Sequence, residues 1–96
     1  MILEIAQIDV KPGTEGKFES AAREGAALFK ASKGCTGFEL RRSHEQPQRY
    51  RVLIQWETLE DHTVGFRESQ AFQEWRAILG PLFVAPPLVV HHHEPL

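Results

Sequence analysis

The chain has 96 residues, 13 acidic and 11 basic side chains, a net charge of −2, and 42% apolar against 25% charged residues. That length makes one domain, residues 1–96, with a modest core, and the near-balanced charge removes the electrostatic basis for a nucleic-acid or anionic-membrane partner. One cysteine, Cys35, excludes an internal disulfide, and the absence of both a bilayer-length apolar run and a basic leader sets the expectation of a soluble, cytoplasmic protein.

Residues 2–10 alternate as a strand does. Leu3, Ile5, Gln7 and Asp9 share one face; Ile2, Glu4, Ala6, Ile8 and Val10 share the other. Both faces carry apolar residues, so both need a cover. Lys11-Pro12-Gly13 breaks the strand, and Thr14 is placed to cap a helix running to about Ala31. Its apolar stripe is Phe18, Ala21, Ala22, Gly25, Leu28 and Phe29. Gly34 is the expected left-handed stop.

Residues 36–44 and 49–57 read as a β-hairpin around a turn containing Pro47. In the second arm Tyr50, Val52, Ile54 and Trp56 face one way, and Arg51, Leu53, Gln55 and Glu57 the other. Thr58 and Asp61 resemble a capping box ahead of a short helix over about 59–66, with Leu59, His62, Thr63 and Phe66 on one face. Ser69 then caps a helix over about 70–80, whose stripe is Phe72, Trp75, Ile78, Leu79 and Leu82. Gly80-Pro81 ends it, and Pro86-Pro87 precedes a last strand over about 88–94. The order β-α-β-β-α-(α)-β predicts an α+β, ferredoxin-like antiparallel sheet with helices on one face. A homodimer packing two sheets face to face is the simplest cover for the other.

Several stretches carry a resemblance: strand one closing in Val-Lys-Pro-Gly, the run Gly34-Cys35-Thr36-Gly37-Phe38-Glu39, the Arg49-Tyr50 strand reaching Trp56-Glu57, and Phe72-Gln73-Glu74-Trp75. Together they resemble the antibiotic biosynthesis monooxygenase family, over essentially the whole chain. The resemblance implies the dimeric α+β barrel fold and a pocket between sheet and helices. It also implies a cofactor-independent oxygenase reaction on a hydroxylated aromatic or quinol, with oxygen as co-substrate. A deprotonated, electron-rich aromatic can itself reduce oxygen, so the protein need supply only an aromatic box, a proton acceptor and exclusion of water.

Trp56, Phe66, Phe72 and Trp75 are the candidate box, with Tyr50 a hydrogen-bonding member. Small domains also use such aromatics simply as core. His62, on the face of Leu59 and Phe66, is the candidate catalytic base; the plainer alternative is a core-edge histidine bonded to a backbone carbonyl, Asp61 or Glu57. Arg67 is the arginine placed to stabilise an enolate or phenolate. The haem-degrading relatives resemble one another in a strand-one Asn and a later helical His. Here Ala6 or Gln7 stands in the first region and residues 69–80 hold no His, so haem is not expected. His91 and His93 would share a strand face, but no third ligand is indicated, so no metal is expected. Cys35 has no visible acid–base partner and reads as structural. Two other functions share the scaffold: a non-catalytic small-molecule-binding or stress-associated domain, and an isomerase. A cavity with His62 in its wall favours an enzyme; one filled by Trp56 and Trp75 favours binding.

Overall fold

Strands β1 (Ile2–Asp9), β2 (Cys35–Arg42), β3 (Arg49–Trp56) and β4 (Leu88–His92) and helices α1 (Glu15–Lys30) and α2 (Gln70–Leu79) make up the computed structural model, which describes residues 1–96. The strands form one sheet in the order β2-β3-β1-β4, every neighbouring pair antiparallel. This is the expected α+β, ferredoxin-like arrangement. The β1–β3 ladder runs from Ile2 opposite Trp56 to Asp9 opposite Arg49. The β1–β4 ladder sets Glu4 opposite His91 and Ala6 opposite Val89.

The alternation of β1 is the organising fact. Its even-numbered face, Glu4 to Val10, is buried under the helices, as are Tyr50, Val52, Ile54 and Trp56 of β3. From α1 come Phe18, Ala22, Gly25, Ala26 and Phe29, from α2 Trp75 and Leu79. The opposite sheet face bears Leu3, Ile5 and Leu53, half-buried, with Leu88 and Val90 exposed beside them. No helix lies on that side.

Several local expectations are corrected. Thr14 precedes α1, but its hydroxyl donates back to the Lys11 carbonyl at 2.6 Å and caps no helical N–H. Asp61 N donates to Thr58 Oγ1 at 3.2 Å, one half of a capping box. Residues 61–66 form a π-helix, with Arg67 N donating to the His62 carbonyl at 3.1 Å; its wider turn leaves Leu59 exposed while burying His62 and Phe66. Ile78 also faces out. Ser69 does cap α2, its Oγ accepting from Phe72 N at 3.2 Å. No helix is long and apolar enough to cross a membrane.

Gly34 sits at φ +83°, and a Cβ there would run into the Asp61 carboxylate. Backbone strain and clash act together, so Gly34→Ala is expected to cost about 2–4 kcal/mol. Chemical denaturation measures it; a loss no larger than that of an ordinary exposed glycine would show that Asp61 moves freely aside.

Candidate functional site

A cavity of about 660 Å3 opens between the even-numbered face of the sheet and the helices. Phe29, Phe66, Phe72 and Trp75 supply its aromatic wall, Val52 and Ile54 of β3 part of its floor, and Arg67 and Arg76 two cationic groups at its side. The aromatic rings brace one another: Phe29 stacks on Phe66 with centroids 4.3 Å apart and meets Trp75 edge-on at 4.7 Å. The Arg76 guanidinium lies 5.6 Å from the centroid of the Phe72 ring, close enough for cation–π attraction. Gly25 makes room for this wall, since a Cβ there would stand 2.8 Å from the Trp75 ring.

Two ionisable side chains are set into the wall, Glu4 and His62, 4% and 3% exposed. The Trp56 indole Nε1–H donates to Glu4 Oε1 at 2.9 Å. His62 Nε2 stands 3.3 Å from the same oxygen. On its other side His62 Nδ1 makes a 2.7 Å hydrogen bond with Nε2 of His91. The indole of Trp56 stacks nearly parallel to the His62 ring, 18° apart at 5.5 Å. The π-helix aims His62 into this cluster, and the β1–β4 register brings His91 beside Glu4.

Burial governs the electrostatics. Removal from water pushes the Glu4 carboxyl up to about 7, against smaller lowering effects of the Trp56 hydrogen bond and the Arg67 charge. Burial first, then the charges of Arg67 and His91, pull His62 down to about 4. His91 is lowered as well, by burial and by Arg67. Near neutral pH the imidazoles are therefore uncharged and the carboxyl is poised between its two forms. Such a carboxyl can accept a proton from a weakly acidic hydroxyl and give it back.

Of the residues singled out in the sequence, Phe66, Phe72, Trp75, His62 and Arg67 line the cavity. Trp56 does not: it is fully buried behind Glu4 and His62 and acts on the cavity through them. Tyr50 is a correction. Its ring packs on Phe18 at 4.7 Å and its hydroxyl donates to Glu19 at 2.6 Å. It shares the Trp56 face of β3 but stands six residues away along the strand, roughly 20 Å, under α1. His62 bonds to neither Asp61 nor Glu57. His91 and His92 point to opposite faces, and β4 ends at His92. Glu4 and His91 are the site residues that sequence reasoning misses. A lone acid among Ile2, Ala6, Ile8 and Val10 is the available signal for Glu4.

Comparisons with known proteins agree with this architecture. Residues 1–78 match the family Antibiotic biosynthesis monooxygenase. The uncharacterized protein YczJ of Bacillus subtilis (strain 168) is 39% identical over 94 residues, covering 98% of this chain and 99% of that protein. The crystal structure of a candidate antibiotic biosynthesis monooxygenase from Bordetella bronchiseptica superposes with a TM-score of 0.96 at 46% identity, over 99% of this chain and 97% of that one. A similarly described Caulobacter crescentus structure shares the fold, with a TM-score of 0.86 at 23% identity over 99% and 90% of the two chains. The chain thus belongs to the antibiotic biosynthesis monooxygenase family.

Proposed function

We propose that the protein is a cofactor-independent monooxygenase acting on a hydroxylated aromatic or quinol-type small molecule. The observation that carries this reading is the Glu4–His62 pair, buried in the wall of an aromatic cavity large enough for such a ligand. The aromatic wall would hold the ring of the substrate, and Glu4, with His62 behind it, would take the hydroxyl proton. Arg67 would stabilise the anion that forms, and the anion would then transfer an electron to oxygen. The family name and the description of the Bordetella relative point the same way.

The test is oxygen uptake with a panel of dihydroquinones and polyhydroxylated aromatics, wild type against His62→Ala. Uptake that falls in the variant supports the reading. Equal rates would remove His62 from the mechanism, and no uptake with any compound would remove the oxygenase. The same proton-accepting pair suits an isomerase, which moves a proton without oxygen; turnover under argon at the aerobic rate would favour that reading.

We also propose that the chain works as a homodimer through the sheet face bearing Leu3, Ile5 and Leu53. Half-buried and exposed aliphatic side chains adjoin there, with no helix over them, and contiguous apolar surface of that kind marks an association site. A charge at its centre should break the contact. Leu53→Glu is expected to shift the protein from dimer to monomer in analytical ultracentrifugation; a wild type already monomeric at micromolar concentration would contradict the proposal.

A further inference from the structure

His62 has no ring nitrogen free for a ligand. Nδ1 is bonded to His91 and Nε2 abuts Glu4. Glu4 differs: Oε1 meets both Trp56 and His62, while Oε2 has no protein partner. No buried side-chain oxygen or nitrogen is sealed off unpaired, so Oε2 opens onto the cavity that Glu4 lines. At the other end His91 is only half-buried and stands on β4, an edge strand of the sheet. An unbroken line of titratable atoms therefore leads from the cavity to the protein surface.

We infer that Glu4, His62 and His91 form a proton relay, with His91 as its solvent outlet. The relay starts with Glu4 protonated on Oε1 and both rings protonated on Nδ1. The Oε1 proton passes to His62 Nε2, the proton on His62 Nδ1 passes to His91 Nε2, and the proton on His91 Nδ1 leaves to water. The carboxylate so freed takes the ligand hydroxyl proton on Oε2. One proton enters, one leaves, and each ring stays neutral with its tautomer reversed. One proton carried inward along the same path restores both rings. The relay thus suits a reaction that first releases a proton and later consumes one. The 3.3 Å contact between Glu4 and His62 is its loosest link and must tighten for transfer. Arg67 is the permanent charge acting on all three groups, and the partly buried Cys35 thiol is the remaining titratable group coupled to Glu4. Neither lies on the path. The use made of the relay rests on the reading that a ligand loses a proton in the cavity; the relay itself does not.

Tautomers decide it in the free protein. With Glu4 protonated, His62 carries its hydrogen on Nδ1 and His91 on Nδ1; with Glu4 ionised, both carry it on Nε2. Ring 15N spectra are expected to show the two rings exchanging tautomer together as pH passes about 7. In Glu4→Gln the His91 tautomer should no longer change, although no polar contact joins Glu4 to His91. Rings that keep their tautomers, or a His91 change that survives Glu4→Gln, would overturn the relay. The outlet is tested with 4-nitrophenol as cavity ligand, following the phenolate absorbance after a pH jump. His91→Gln keeps a hydrogen bond to His62 but cannot pass a proton, so ionisation should slow by about 10- to 100-fold, with the final phenolate fraction unchanged and the rate restored by imidazole in the buffer. An unchanged rate would overturn the outlet. A probe that does not bind counts against the aromatic-ligand reading, and the tautomer result alone then upholds or overturns the relay.

Discussion

Glu4→Gln is expected to lower turnover by about 10^2- to 10^4-fold while making the folded protein more stable above pH 7. The amide keeps an acceptor for the Trp56 indole and nearly the same volume, but it cannot take a proton. The stability effect follows from linkage. Glu4 titrates near 7 in the folded chain against 4.5 for the free side chain, so between those values the folded state holds a proton that the unfolded state has lost. Stability from this group is complete below 4.5 and declines as pH rises to 7. The full cost of the ionised group is roughly 2–4 kcal/mol above that point. His62 acts oppositely. Its folded-state value near 4 lies below the ordinary 6.5, so the folded state resists protonation and stability rises with pH between those limits. The two slopes oppose each other in the wild type between pH 4.5 and 6.5, and Glu4→Gln exposes the rising one. Denaturant titrations from about pH 4 to 9 read this directly. A variant less stable than wild type at about pH 8 would mean that the carboxylate is better solvated than its burial implies. Wild-type kcat/KM should rise with pH about a midpoint near 7, and residual activity in the variant should lose that dependence.

Trp56→Ala is expected to be the most damaging single truncation for stability. The indole is fully buried, packs on Phe29, Phe66 and His62, and donates the hydrogen bond that holds Glu4. Cavity formation alone costs about 3–5 kcal/mol, and stranding a desolvated carboxyl without its donor adds roughly 1–3 more. For a domain of this size that approaches the whole folding free energy. Thermal unfolding followed by circular dichroism should show a broadened, strongly lowered transition or none. Trp75→Ala is the informative comparison. Trp75 is nearly as buried but makes no hydrogen bond to the carboxyl, so the excess loss in Trp56→Ala measures the support given to Glu4.

The fold is readable from local signals because those signals agree with the global arrangement. The two-faced alternation of β1, the Gly34 stop, the hairpin turn at Pro47 and the Ser69 cap each point to one structure. The site is readable only where one element carries it. His62, Phe66, Phe72 and Trp75 announce themselves by helical spacing. Periodicity assigns a side chain to a face but not to a position along that face, which is why Tyr50 falls into one group with Trp56. The Glu4–His91 pairing lies in the β1–β4 register, fixed by chain segments at opposite ends of the sequence. The π-turn that aims His62 depends on tertiary packing. His91 is visible as one of three consecutive histidines, but nothing local separates it from its neighbours.

The ladders pin Glu4 and His91 to adjacent strands, while part of the opposite wall of the cavity comes from residues 83–87, a connector with no helix or strand of its own. On the proposed function, proton transfer and part of the ligand's contact surface would thereby lie in separate parts of the molecule. Exchanging that connector for ones of different bulk offers a route to new ligand preferences while the acid–imidazole machinery stays untouched, and a library confined to those positions is the natural starting point for redesign.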